Sequence, residues 1–474
     1  MRTLARRVLI PGLTALALAA TGCSSTPHAG AADPAAPVTL GPSADGTSQQ
    51  LDVAAAPQGT PTPAAVARAD GKGRTEKSTL KVASYDKASG RAVIAKAPQG
   101  SGSSPAPGKS PGKAPSASPE ADKPVAVGDV IASAPAPGAP AGLLAKVTEV
   151  VGKTDKGTEV KTASTTLAAV LGDDKADGKV PVDPSAVTVE PLMKGVTFSW
   201  AKGQGLTFGP EGAKLPLGNL RLDVNAAVDT APGAPASAGA SVSGFVQLAP
   251  QVEFAYDGSP GGAPGPRGAF LGMSGDWSSQ WKLQGRAAAS TGAPKRIPFA
   301  KLHSSPVIQV GPVPVVVNLD LTCYIQVEAD GSVTLEVQQD VKGDFKIGGS
   351  YAAGKGWTPV SASNVQSTPV RAGVTAAGRV KGALGAEASV GLYGAVGVTA
   401  DFAPYLRGEA DLKAAASSDG KASVSGAWAL YGGFDLSGNL QLQLSLFGTP
   451  LFERRIPLGT LNREWALSTG HVGR

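Results

Sequence analysis

Three histidines and two cysteines are all that this 474-residue chain offers for the commonest metal and nucleophile chemistry. His28 lies in an Ala/Pro-rich stretch and His471 in the last few residues, so a folded site could draw on His303 alone. A His-ligated metal cluster is thereby excluded. A Ser-His-Asp triad would hang on this one imidazole, with no G-x-S-x-G turn to present the serine. Cys323 shares the apolar odd positions with Leu319, Leu321 and Ile325, which predicts a buried, inert thiol. Glu409 and Asp411 would stand on one face of a strand. Paired carboxylates can cleave a glycoside when their separation suits, and a solvated strand face is the plainer alternative. Gly108-Lys109-Ser110 and Gly152-Lys153-Thr154 end like a phosphate-binding loop, but Ser103 and Val147 stand where its first glycine belongs. Neither tripeptide joins a strand to a helix, so no nucleotide is implied. In the segment GSYAAGKGWTP, Gly354 and Gly356 allow a tight turn that would project Trp357 near Tyr351. An exposed pair of that kind suits carbohydrate or protein contact; plugging a sheet edge is the structural alternative. No motif implies a cofactor.

The first 23 residues carry an address. Arg2, Arg6 and Arg7 precede an apolar run, and Thr21, Gly22 and Cys23 follow it. That order is a secretory signal, too short to span a membrane stably. LAATGCSS resembles the lipobox of bacterial lipoproteins, with Ala20 where a branched residue is usual. The resemblance implies cleavage between Gly22 and Cys23, acylation of the Cys23 thiol, and an extracytoplasmic chain held at the cell membrane. Arg6-Arg7 also resembles a twin-arginine export signal, and the Sec and twin-arginine routes both stay open.

Cleavage removes three arginines and no acids, lowering the net charge from +6 to +3. With no Lys/Arg stripe interleaved with aromatics, nucleic-acid binding has no basis. Glycine (62) and proline (39) are abundant, and two stretches without apolar period are rich in proline. Residues 23–77 read as a disordered tether about 40 Å in root-mean-square span. Residues 97–123 read as a disordered insert in a small β module covering 78–195. In that module LKVASYDKASGRAVIA, with inward positions at Leu80, Val82 and later Val93, predicts a hairpin turning at 86–90. The succession VAVGDVIASAP, GLLAKVTEVVGK and TEVKTASTTLAAVL resembles a small β module of bacterial surface and secreted proteins, to which no chemistry is attached.

Residues 196–470 carry the clearest signal. From 370 to 414 every even position is apolar, Gly or Pro, and all nine charges fall on odd positions, from Arg371 to Lys413. Successive strand side chains point to opposite faces, so this pattern predicts antiparallel strands with one buried face. The alternation continues through 422–446 and recurs in 242–256 and, on odd positions, in 313–327 and 333–347. No helical period appears in this region. An all-β fold is expected, a small module plus a large antiparallel domain whose long strands form an elongated sandwich or rolled sheet. A two-residue hairpin would flip the parity, which does not flip between 370 and 446. Turns there should therefore carry an odd number of residues or be offset by a bulge.

Three functional classes are compatible with this reading. The first is a non-enzymatic envelope protein that binds or scaffolds a glycan or protein partner. The second is a lipid or glycan carrier with an apolar cavity, and the third a cell-envelope hydrolase using carboxylates. Only Cys23 has a role specified by sequence. Cys23→Ser should abolish metabolic labelling with a radiolabelled fatty acid and move the chain from the membrane fraction to the soluble one. Two acyl chains at about 0.8 kcal/mol per methylene make the native anchor essentially permanent. Retention of the variant on membranes after carbonate washing would overturn the lipoprotein reading.

Overall fold

A computed structural model describes residues 48–57, 62–69, 75–97, 123–183, 186–194, 196–201, 207–209, 212–214, 219–229, 239–259, 265–287, 293–331, 333–375, 378–416, 422–449 and 455–473. Gly22, Cys23 and nearly all of the 97–123 insert lie outside them. The fold is all-β. Its strands form two large sheets, a smaller seven-stranded sheet and a separate short hairpin.

Sheet I has eight strands. Its main path runs Gln50–Leu51, Lys175–Pro181, Gly239–Asp257, Gly268–Ala287, Val333–Ala352, Gly356–Thr375. Asn219–Asp229 pairs with the first half of Gly239–Asp257, and Val196–Ala201 lies outside it. Sheet II has ten strands, with the path Val187–Pro191, Lys295–Ser304, Val313–Gly331, Gly378–Leu392, Ala395–Ala416, Ala422–Gln441, Arg455–Pro457. The longest strand has 22 residues, about 70 Å at the usual rise. These strands run unbroken even through the glycine pairs Gly348-Gly349 and Gly432-Gly433.

The two sheets pack face to face, and the parity of the sequence decides which side faces in. Even-numbered Val252, Phe254 and Tyr256 of sheet I are buried against odd-numbered Val315, Val317 and Leu319 of sheet II. In 378–441 the even positions Val380, Val390, Val398, Leu406, Leu430, Phe434 and Leu440 are buried as expected.

Both ways of preserving parity occur. Leu392 pairs with Ala395 across a two-residue turn, Tyr393 (φ 48°) and Gly394 (φ 80°), whose positive φ values suit a tight hairpin. A register shift at Val390/Gly391 then restores the even face. Ala416 pairs with Ala422, leaving an odd number of residues between them. Another shift, opposite Gln338/Gln339, changes the pairing parity of Gly356–Thr375 at position 370, where the even-numbered run of the sequence begins.

Four expectations are corrected. The 422–446 alternation does not remain strand to its end, because Leu442–Phe447 is a 3₁₀ helix. Leu444 and Phe447, three apart, are both buried there, which a strand could not achieve. Order begins well before position 78. Gln50–Leu51, Val53–Ala55, Ala65–Ala67 and Thr75–Lys77 are strands, too short to show any period and recruited by pairing with strands elsewhere in the chain. The boundary at 195 also fails. Lys175–Pro181 joins sheet I, Val187–Pro191 joins sheet II, and 48–474 is one compact unit. Finally, in the small hairpin Leu80–Asp86/Arg91–Lys96, Ala92 and Ile94 face the interior rather than Val93.

The seven-stranded sheet is buried on both sides. Ile131, Ala145 and Val147 belong to its own core, while Val130, Ala132 and Leu144 pack into the core of the large sheets. Between these faces, Asp129 is 2% exposed on its side chain and is held by Arg68 at 2.9 Å.

On the outer face of sheet I, Glu253 is buried between Lys179 (2.9 Å) and Lys346 (2.5 Å). Burial alone would raise its carboxyl, but bonds from Lys346, Ser274 and Lys179 outweigh it and hold the group at about 2. A depressed folded-state value means that the stabilisation is complete above the ordinary 4.5 and is lost as pH falls toward 2. Glu253→Gln should therefore cost on the order of 2 kcal/mol at pH 7. Urea midpoints of variant and parent should converge between pH 4.5 and 2; a gap independent of pH would refute the assignment.

Candidate functional site

The inner faces of sheets I and II do not close evenly. Two apolar clusters fill the space, one around Phe254, Leu392 and Phe434, the other around Phe299, Ile325 and Leu406. Where they meet lies a cavity of about 160 Å³. Met273, Trp277 and Phe345 of sheet I face Leu302, Leu321 and Leu384 of sheet II across it. Each side chain reaches the cavity through strand alternation: odd positions in Gly268–Ala287 and Val333–Ala352, even positions in Gly378–Leu392. Small residues leave the room. Ala388 and Ala400 pair directly across two strands, and both line the cavity. Val187, Val246, Leu248 and Pro250 line its side near the 181–187 crossover and are only half-buried, so the cavity reaches the surface there.

Nearly all of the wall is carbon, and one polar atom stands out. Trp277 is 6% exposed, and its indole Nε1 is buried without a hydrogen-bond partner. The indole packs edge-on against Phe402 of the opposite sheet, with centroids 5.6 Å apart. It pairs across strands with Gly343, where a Cβ would approach Nε1 to 3.0 Å. A buried donor left unsatisfied costs about 1–3 kcal/mol. An unfilled apolar void of this size costs about 4 kcal/mol more. Sequence reading missed Trp277 because its parity marks it as core like any other aromatic. That its donor has no acceptor is a property of the opposing sheet.

The residues singled out by sequence fall elsewhere. Cys323 also lines the cavity and is buried; burial pushes its thiol up to about 12, away from nucleophilic use. Trp357 is not projected into solvent. It is 5% exposed, pairs with Tyr351 across the turn, and donates from Nε1 to Thr449 Oγ1 at 2.8 Å. Its ring packs between Tyr351 and Phe447, closing the end of the core, so the exposed-platform expectation for this pair gives way to plugging. Tyr351 itself is half-buried. Glu409 is bound by Arg407 at 2.5 Å and by the Tyr431 hydroxyl at 3.1 Å, and Asp411 is exposed. A carboxylate so neutralised suits a structural ion pair better than acid–base work.

His303 stands on the outer face of sheet II. Its Nδ1 is 2.7 Å from Asp320 Oδ1 and its Nε2 is 3.2 Å from Ser305 Oγ. Among the described residues no group of three or more His, Cys, Asp or Glu could hold a metal ion. No family model, curated protein or solved structure matches this chain.

The burial of Cys323 is directly measurable. A maleimide reagent should leave it unmodified in the folded chain and label it stoichiometrically in urea, with the rate following global unfolding. Rapid labelling under native conditions would show that the inter-sheet space opens freely.

Proposed function

We propose that this chain is a lipid-anchored extracytoplasmic binding protein that shelters the apolar part of a ligand between its two long sheets. The observation that carries the reading is the inter-sheet cavity, about 160 Å³ and lined almost wholly by carbon. Apolar cavities of about 150 Å³ stay dry and take up guests the size of benzene. A short run of methylenes or a single ring fits that space, with the rest of the ligand leaving past Val187 and Leu248. The lone indole donor of Trp277 favours a ligand carrying a carbonyl oxygen beside its apolar part, because that oxygen would satisfy Nε1. An acyl ester meets both conditions. The lipobox places such a carrier at the membrane surface, where acyl chains are found.

Native mass spectrometry of the chain purified from membranes in mild detergent should show a co-purifying lipid-sized mass. Methyl laurate should bind more tightly than dodecane, and Trp277→Phe should remove that preference, about tenfold for one hydrogen bond. Ala388→Leu should fill the cavity and weaken both ligands at least about tenfold without lowering the unfolding midpoint. Absence of any bound mass, together with no binding of either compound, would overturn the carrier reading.

A further inference from the structure

On the opposite face of sheet II, four side chains form a directional hydrogen-bond relay. Asp320, as a carboxylate, can only accept, so His303 Nδ1 carries the proton in their 2.7 Å contact. With the imidazole neutral, Nε2 is then the acceptor and Ser305 Oγ, 3.2 Å away, donates to it. At the far end, the backbone N–H of Gly394 donates to Asn318 Oδ1, which fixes the amide. Asn318 Nδ2 is thereby turned to Ser305 Oγ, at 3.1 Å. Ser389 Oγ adds a bond to Asp320 Oδ2 at 3.3 Å. The serine hydroxyl has its proton aimed at an imidazole, and a carboxylate orients that imidazole.

Register explains the assembly. His303 and Ser305, two apart, point to the same side, and His303 lies directly opposite Asp320, itself opposite Ser389. The other charged groups set on this face around the imidazole are Lys301, Glu190 and Glu387. His303 and Asp320 are 57% and 56% exposed on their side chains, so a small substrate reaches them without any opening of the fold.

We infer that Ser305 and His303 form a catalytic pair, positioned by Asp320 and Asn318, that hydrolyses small carboxylic esters. Ser305 Oγ bonds to the ester carbonyl carbon as its proton passes to Nε2, and the carbonyl oxygen becomes an oxyanion. Asn318 Nδ2–H, 3.1 Å from Ser305 Oγ, is a donor fixed beside the reacting atom. Collapse breaks the carbon–oxygen bond to the alcohol, which leaves with the proton from Nε2. Water then repeats the sequence on the acyl-serine, releasing the acid and restoring the hydroxyl. The outward side chains of this site stand on the same strands whose inward ones line the inter-sheet cavity, and His303 and Asp320 border that cavity as well.

The full chain in mild detergent should be treated with a fluorophosphonate and separately assayed on p-nitrophenyl acetate. Peptide mass spectrometry should place the phosphonyl group on Ser305. Ser305→Ala should abolish labelling and lower ester turnover by about 10²–10⁴-fold, with unchanged circular dichroism. For the positioning role of Asp320, ¹⁵N spectra of the three histidines should show an Nδ1-protonated ring at His303. Asp320→Asn should lose that tautomer and most of the turnover. Absence of label on Ser305, or equal turnover by Ser305→Ala and the parent chain, would overturn the inference. Ligand binding in the cavity should be the same in Ser305→Ala and the parent chain.

Discussion

A strand of 22 residues sends half of its side chains to each side, and here only one side is apolar along nearly its whole length. Such a face, tens of ångströms long, has to be covered by another of matching length. Two sheets of equally long strands are the simplest answer, and the chain supplies them by crossing from one to the other between 287 and 295, 331 and 333, and 375 and 378. Sheets of this length twist, so their inner faces cannot stay in uniform contact. Small residues such as Ala388 and Ala400 leave the gap between the two apolar clusters open.

Aromatic rings laid over glycines do for the outer face what the apolar seam does for the inner one. Tyr324 pairs with Gly385 and Tyr405 with Gly433; a Cβ at either glycine would lie within 2.5 Å of the ring. Each ring is flattened against the sheet and capped by a cation, Arg296 over Tyr324 and Lys381 over Tyr405. Their hydroxyls bond to Asp401 and Glu464. Burial first, and then these carboxylates, raise both phenols above their ordinary value. The arrangement buries two tyrosines on the side that alternation marks as polar, and gives much of the glycine content a structural use. Trp277 over Gly343 repeats the motif on the inner side, where no cation or acceptor caps it.

Sheet II therefore separates two chemistries by one residue of parity. Leu302 and Leu321 look into the cavity, while their neighbours His303 and Asp320 look outward and bond to each other. A one-residue slip between Lys295–Ser304 and Val313–Gly331 would destroy both at once. The shift recorded between Pro298 and Ala300 makes register a fixed feature of this pair. Arg407, farther along the same outer face, closes two ion pairs, one with Glu409 two residues along its own strand and one with Glu464 of Leu461–Gly473.

Alternation by itself determined the class of the fold, the buried parity of the runs at 242–256, 313–327, 333–347 and 378–441, the burial of Cys323 and the need for a bulge or an odd loop at the hairpins between 370 and 446. These are local consequences of a side-chain period of two, and they hold wherever the strands end up. Pairing partners are not local. The short strands between 50 and 77 are edges chosen by sheets whose sequences lie elsewhere, and Leu444 and Phe447 turn a strand-like run into a 3₁₀ helix because both have a core to enter. For Tyr351 and Trp357 the sequence offers a platform or a plug, and Thr449 and Phe447 against the indole make it the plug. Ser305 and Asn318 carry no motif, and Asp320 is one acid among 37 acidic residues. Only the register between neighbouring strands brings them to one imidazole, just as only the opposing sheet leaves the Trp277 donor without an acceptor.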